Sequence, residues 1–152
     1  TTRLVGSEMC IRDRNKRLPM FCVNCQTDVE PETVTGADIY GPRFSFKDAL
    51  YARCPRCGNY GESAIKDEPP YKVIPDFRLR RGYNYIDGIL DLLWRQKKMT
   101  KAEVLYRMAG LMYGHERAYR TRDIESYDEA CRAYRLAKEL KKEVFSHVQT
   151  VA

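Results

Sequence analysis

"FCVNCQTDVEPETVTGADIYGPRFSFKDALYARCPRCG", residues 21–58, is the stretch that decides how this chain folds. It holds two Cys-x-x-Cys pairs, Cys22 with Cys25 and Cys54 with Cys57, with 28 residues between them. Two thiolates three residues apart grip one metal ion from a tight turn. A second such turn completes a tetrahedron of four sulfurs, which zinc accepts readily. Gly58 follows the last cysteine and supplies the positive φ that turns the chain away. Pro55 stiffens the second pair from within.

The surroundings fit this reading. "RLPMF" leads into the first pair and "ALYAR" into the second. β-Branched and aromatic residues lie between them, punctuated by turn signals at Gly36 and Gly41-Pro42. "NYGESAI" reads as one more strand. Residues 15–66 therefore predict a small zinc ribbon of short antiparallel strands. Cys22, Cys25, Cys54 and Cys57 are its metal ligands and zinc is its cofactor. A core of about 50 residues needs such a staple. Two disulfides are the alternative if the protein is exported, and no export signal is visible. A redox dithiol is the third reading, but no βαβ pattern surrounds either pair. Four thiolates close the coordination sphere, so the site is expected to bind metal without activating water.

The totals bound the rest. The chain has 152 residues, 43% hydrophobic and 32% charged, which implies globular structure in one domain or two small ones. Apolar runs such as "GILDLLW" are too short to span a bilayer. No signal peptide is visible, so the expected location is cytoplasmic, with reduced thiols and no membrane. The net charge is +6 and the pI about 9.0. That favours an acidic partner, nucleic acid or an acidic protein face. Mere solubility is an equal explanation.

Arg3 to Arg14, "RLVGSEMCIRDR", has no structural period. It resembles a translation of the common transposase-based sequencing adapter, codon by codon and without a gap. A natural basic arm is the competing reading. Residues 1–14 are therefore set aside as a non-native tail. The informative chain is then 138 residues with a charge of +5 and five cysteines. Its native start is Met20 or lies upstream.

Residues 67–82 read as a proline-rich linker. Pro69, Pro70 and Pro75 argue against regular helix there. Tyr71, Val73, Ile74, Phe77 and Leu79 argue that it packs rather than floats. Residues 83–152 read as a three-helix region. The first helix is expected over 84–98, capped by Asn84 with Asp87, with Ile86, Ile89, Leu90, Leu93 and Trp94 inward. The second is expected over 101–113, from a Thr100/Glu103 capping box to a Gly114 stop, with Ala102, Leu105, Ala109 and Met112 inward. The third is expected over 127–147, from a Ser126/Glu129 box, with Ala130, Tyr134, Ala137, Lys141 and Val144 marking its stripe. Cys131 reads as a half-buried core residue. The fold class is α+β: an N-terminal zinc ribbon followed by three helices.

The paired cysteines, the "ADIYG" hairpin and "LDLLWRQKKMTKAEVLYRMAGLMYG" together resemble an uncharacterised family of small zinc-finger-containing proteins of bacteriophages and prophages. The matching positions are Ile39-Tyr40-Gly41, Leu93-Trp94, Lys98-Met99-Thr100-Lys101 and Glu103. The likeness covers roughly residues 20–145. It departs in the longer linker and in "HERAYRTRDIE". It implies zinc and a phage-like origin, and no agreed activity.

No catalytic constellation stands out: His115 and His147 lie in no nucleophile or metallohydrolase motif. The expectation is a non-enzymatic protein with no catalytic residues. Basic residues interleave with tyrosines in "FRLRRGYNY", "RQKKMTK" and "YGHERAYRTR". Cations neutralise phosphates and tyrosines offer stacking surface. Arg78, Arg80, Arg81, Lys97, Lys98, Arg117, Arg120 and Arg122 are the candidate nucleic-acid contacts. With 11 tyrosines in the chain, ordinary core and rim tyrosines explain the pattern equally well. The function expected is a nucleic-acid-binding accessory or regulatory factor. The alternative is a protein-interaction module that modulates a host complex, such as a polymerase or a defence nuclease. The sequence is silent on oligomeric state.

Overall fold

A computed structural model describes residues 18–64, 67–96 and 98–147. The adapter-like segment and Lys97 lie outside the described residues. The fold is α+β, with strands in the N-terminal half and helices in the C-terminal half. The chain divides between Ile74 and Pro75 into two compact units.

In the first unit, β1 (Met20–Cys22) and β2 (Thr27–Val29) form an antiparallel hairpin, with Met20 opposite Val29 and Cys22 opposite Thr27. β3 (Glu32–Thr35), β4 (Leu50–Arg53) and β5 (Tyr60–Glu62) form a second antiparallel sheet, in the order β3-β4-β5. β6 (Val73–Ile74) joins the first sheet beside β1, running parallel to it, and gives the order β2-β1-β6. Met20, Cys22 and Ile74 from one sheet meet Ala52 and Cys54 from the other in a shared core. Side chains alternate along a strand. Ala52 therefore faces that core, while Tyr51 and Arg53 face away from it.

Two expectations for this unit need correction. The "ADIYG" stretch is not a hairpin but a short helix, α1 (Gly36–Tyr40). Thr35 caps it, accepting from the Asp38 N–H, and Asp38 accepts from the Thr35 N–H in return. Gly36 is required by packing: a Cβ there would lie 2.2 Å from the Phe46 carbonyl oxygen. The proline-rich stretch, for its part, is not a linker throughout. Val73 and Ile74 are buried sheet residues, and Phe21 and Val23 donate to the Lys72 and Ile74 carbonyls.

In the second unit, α2 (Phe77–Arg95) begins seven residues earlier than the sequence suggests. Asp76, not Asn84, is its cap and accepts from the Leu79 N–H at 2.9 Å. Pro75 precedes the cap, outside the helix, where its missing N–H costs nothing. Leu79 and Tyr83 thus extend the buried stripe of Ile86, Leu90 and Leu93, while Ile89 and Trp94 stay half-exposed.

α3 (Lys101–Tyr113) has the expected capping box and ends at Gly114 in the left-handed conformation. Its inward face is rotated from the expected one. Val104, Met108, Ala109 and Met112 are buried, Leu105 is half-buried and Ala102 is exposed. Apolar residues occupy more than one face of this helix, so periodicity alone allowed two answers.

α4 (Tyr127–His147) packs chiefly on α2 through Ala130, Ala133, Ala137 and Leu140. Small residues let the two backbones approach, which leaves Tyr134 outside the contact and 37% exposed. Lys141 and Val144 are half-buried at its margin. Cys131 is exposed, not half-buried, because the alanine stripe is narrow and Cys131 sits beside it. The expected Ser126/Glu129 box is half formed. Ser126 accepts from the Glu129 N–H, but the Glu129 carboxylate accepts from Glu125.

Candidate metal centre and basic aromatic face

Each Cys-x-x-Cys pair occupies the turn of a hairpin. Cys22 closes β1 and Cys25 lies in the turn to β2; Cys54 follows β4 and Cys57 lies in the turn to β5. The two turns are built alike. Gln26 donates its N–H to the Cys22 carbonyl at 2.8 Å, and Gly58 donates to Cys54 at 2.9 Å. Both take positive φ, 55° at Gln26 and 77° at Gly58. The sequence pointed to the glycine. It gave no sign that Gln26 holds the matching conformation, where its side chain reaches back to the Val23 carbonyl.

This symmetry converges the four sulfurs. Cys22 Sγ lies 3.6 Å from Cys57 Sγ, Cys25 Sγ lies 3.9 Å from Cys54 Sγ, and all four lie within 4.8 Å of one another. An ideal tetrahedron with metal–sulfur bonds of about 2.3 Å has sulfur–sulfur edges of about 3.8 Å. A disulfide would need about 2.05 Å, and all four are free thiols. The donor set therefore fits one tetrahedral metal ion. Cys22 and Cys54 are buried, Cys25 is half-buried and Cys57 is exposed, so the site has one open side.

The thiols compete for charge without a cation. Burial pushes Cys22 up, against the Cys25 N–H that favours its thiolate. Sharing a hydrogen bond with Cys57, and then burial, push Cys25 up to about 12. Burial resists ionisation of Cys57, but the Asn59 N–H and the neighbouring thiols outweigh it and bring it down to about 7. A divalent cation removes the conflict and displaces the remaining protons.

The candidate nucleic-acid residues separate into distinct groups. Arg78 and Arg81 are exposed near the start of α2. The Arg78 guanidinium sits 4.9 Å from the Tyr127 ring centre. Arg81 lies near Phe77 and Tyr85 and donates to the Tyr85 hydroxyl at 2.9 Å. Arg80 is half-buried and Lys98 is exposed.

The loop arginines behave otherwise. Arg120 binds both carboxylate oxygens of Asp123, at 2.9 and 2.7 Å. Arg122 pairs with Asp87 and lies 5.5 Å from the Tyr83 ring. Arg117 is exposed, 3.9 Å from the Tyr113 ring and 3.7 Å from Glu129. Asp87 is thus no helix cap. It receives Thr121 at 2.7 Å and Arg122, and so anchors the long connection between α3 and α4. Tyr119, Thr121 and Ile124 of that connection are buried, and the Tyr83 hydroxyl donates to the Ile124 carbonyl.

Charge divides between the two units. Residues 75–152 carry 16 Lys and Arg against 11 Asp and Glu; residues 15–74 carry 8 against 8. The first unit instead presents aromatic rings. Tyr40 lies 4.5 Å from Phe44 and 5.7 Å from Tyr60 between ring centres, and Tyr51 lies 6.0 Å from Tyr60. Phe46 and Leu50 are exposed beside them. Among the described residues, no helix is long and apolar enough to cross a membrane. No family model, no curated protein and no solved structure matches this chain.

Proposed function

We propose that this protein is a zinc-stapled, non-enzymatic nucleic-acid-binding accessory factor of phage-like origin. Zinc is the metal that best suits four thiolates in a tetrahedron. With four sulfurs bound, no coordination position is left for a substrate. The ion then holds the first unit together and performs no chemistry.

The observation that carries the nucleic-acid reading is the start of α2. Arg78, Arg80 and Arg81 crowd its opening turns, and the first turn has no acidic residue. Cations at a helix N-terminus oppose the helix dipole, at a cost of about 0.3–1 kcal/mol each. The Asp76 carboxylate already caps the helix, so a bound phosphate would offset that penalty through the arginine side chains alone. Phe77, Tyr85 and Tyr127 beside them offer rings to bases.

Fluorescence anisotropy with a labelled single-stranded oligonucleotide tests this. Affinity should fall steeply as salt rises, and Arg78→Glu with Arg81→Glu should weaken binding at least tenfold. Equal affinity of the double variant and the parent would sink the reading.

A second reading is favoured by the aromatic face of the first unit. Tyr40, Phe46 and Leu50 are all half or more exposed there, on a unit with no net charge. Such a face suits a protein partner better than a polyanion. Under this reading the protein docks on and modulates a host complex, such as a polymerase or a defence nuclease. Retention of a stoichiometric protein from nuclease-treated host lysate, lost on Phe46→Ser, supports it.

A further inference from the structure

The start of α2 borders a groove that the proposed function does not yet use. It lies between α2 and α4, encloses about 260 Å³, and is lined by Arg78, Gly82, Tyr85, Tyr127, Cys131 and Tyr134 among others. Its floor is low because Gly82 faces Ala130; a Cβ added at Gly82 would sit 3.6 Å from the Ala130 methyl. Arg78 with Tyr127 marks one end. Tyr85 with Tyr134, edge to face at 6.5 Å, marks the other. Seven residues separate the two ends on each helix, about 10 Å of helix rise. Between them lies the glycine–alanine step.

The three tyrosines are 37–55% exposed: Tyr127 38%, Tyr85 55% and Tyr134 37%. Each has a cation against it, and Tyr127 also donates its hydroxyl to the Asp76 carboxylate, the one acidic group against these rings among the described residues. Arg78 lies over Tyr127, Arg81 donates to the Tyr85 hydroxyl, and Lys138 lies 5.1 Å from the Tyr134 ring centre. A slot for an apolar side chain would have no use for three cations. A ligand that is planar and aromatic on one side and anionic on the other uses every part. The unit carries five more positive than negative charges, which matches such a ligand.

We propose that this groove receives one unstacked base of a single-stranded nucleic acid, with the flanking phosphates on Arg78, Arg81 and Lys138. The proposal rests on the nucleic-acid reading above and names its ligand more narrowly. Duplex is excluded from the slot because its bases are stacked and paired. The tyrosines supply stacking faces that tolerate any base, so affinity follows strand state more than sequence.

Cys131 makes the slot directly observable, because its exposed thiol lies in the lining. The experiment uses the whole 152-residue chain, zinc-loaded, with oligothymidylate of about ten nucleotides, within the usual single-strand site size. An abasic strand of equal length and an acidic peptide serve as comparison probes. Alkylation is read at the Cys131 peptide by mass, so the metal-site thiols do not interfere.

Oligothymidylate should slow alkylation of Cys131 and bind roughly tenfold tighter than the abasic strand, the scale of one stacked base. Gly82→Leu should fill the floor and erase that tenfold preference. Gly82→Ala should keep it, because one methyl fits at ordinary contact distance. Unchanged base preference in Gly82→Leu, or undiminished alkylation under saturating oligothymidylate, would overturn the proposal while leaving salt-dependent binding intact. Protection of Cys131 by the acidic peptide alone overturns it in favour of a protein ligand. Absence of any salt-dependent strand binding overturns both this slot and the broader reading.

Discussion

At the scale of single residues, Asp87 shows how context reassigns a side chain. In the sequence it sits three positions after Asn84 and reads as half of a cap. In the fold it binds Thr121 and Arg122, 34 and 35 residues away. Arg122 is consequently structural. Arg122→Ala should lower the stability of the helical unit by about 1 kcal/mol, since it removes one of the two partners of a partly buried carboxylate and leaves Thr121 in place. Its effect on strand binding should be far smaller than that of Arg78→Glu. Urea melts monitored by circular dichroism, set beside anisotropy, separate the two effects.

Tyr83 and Tyr119 add a pH dependence to the same region. Burial pushes both hydroxyls well above the ordinary tyrosine range. Their folded values exceed the unfolded value of about 10, so their contribution is complete below about pH 10. It is lost as the pH climbs toward the folded values. Thermal melts should show the helical unit weakening above about pH 10. Tyr119→Phe should make that decline shallower, and an unchanged slope would argue against burial of that hydroxyl.

At the scale of elements, local chemistry was legible and context was not. The Thr100/Glu103 box and the Gly114 stop were readable because caps act within four residues. Thr100→Ala should cost about 1 kcal/mol in a urea melt of the intact chain. The paired cysteines were readable for the same reason: three-residue spacing dictates the turn.

The start of α2 is hidden in the sequence because Pro69, Pro70 and Pro75 disfavour helix right up to the cap, Asp76. A proline before a cap is no obstacle, and the cap itself, Asp76, was the better signal. β6 has two residues and gains its meaning only from pairing with β1. No periodicity reveals so short a strand. The inward face of α3 and the exposure of Cys131 depended on which of two faces a neighbour covers, which propensity does not encode.

At the scale of the whole molecule, the two units differ in what holds them together. The first has few buried apolar side chains, and two of its core members, Cys22 and Cys54, belong to the sulfur cluster that could hold a metal ion. Its stability should therefore be inseparable from its metal. The second has its own apolar core along α2, α3 and α4 and contains no member of the sulfur cluster. The positive surplus also resides there, which the overall net charge concealed.

Elemental analysis of the reduced protein, with backbone amide spectra recorded before and after chelation, tests the account at its centre. The expected result is about one zinc per chain, with loss of dispersed amide signals from residues 18–74 on chelation while those from 75–147 persist. Metal-free protein whose residues 18–74 keep a native set of amide signals would contradict it.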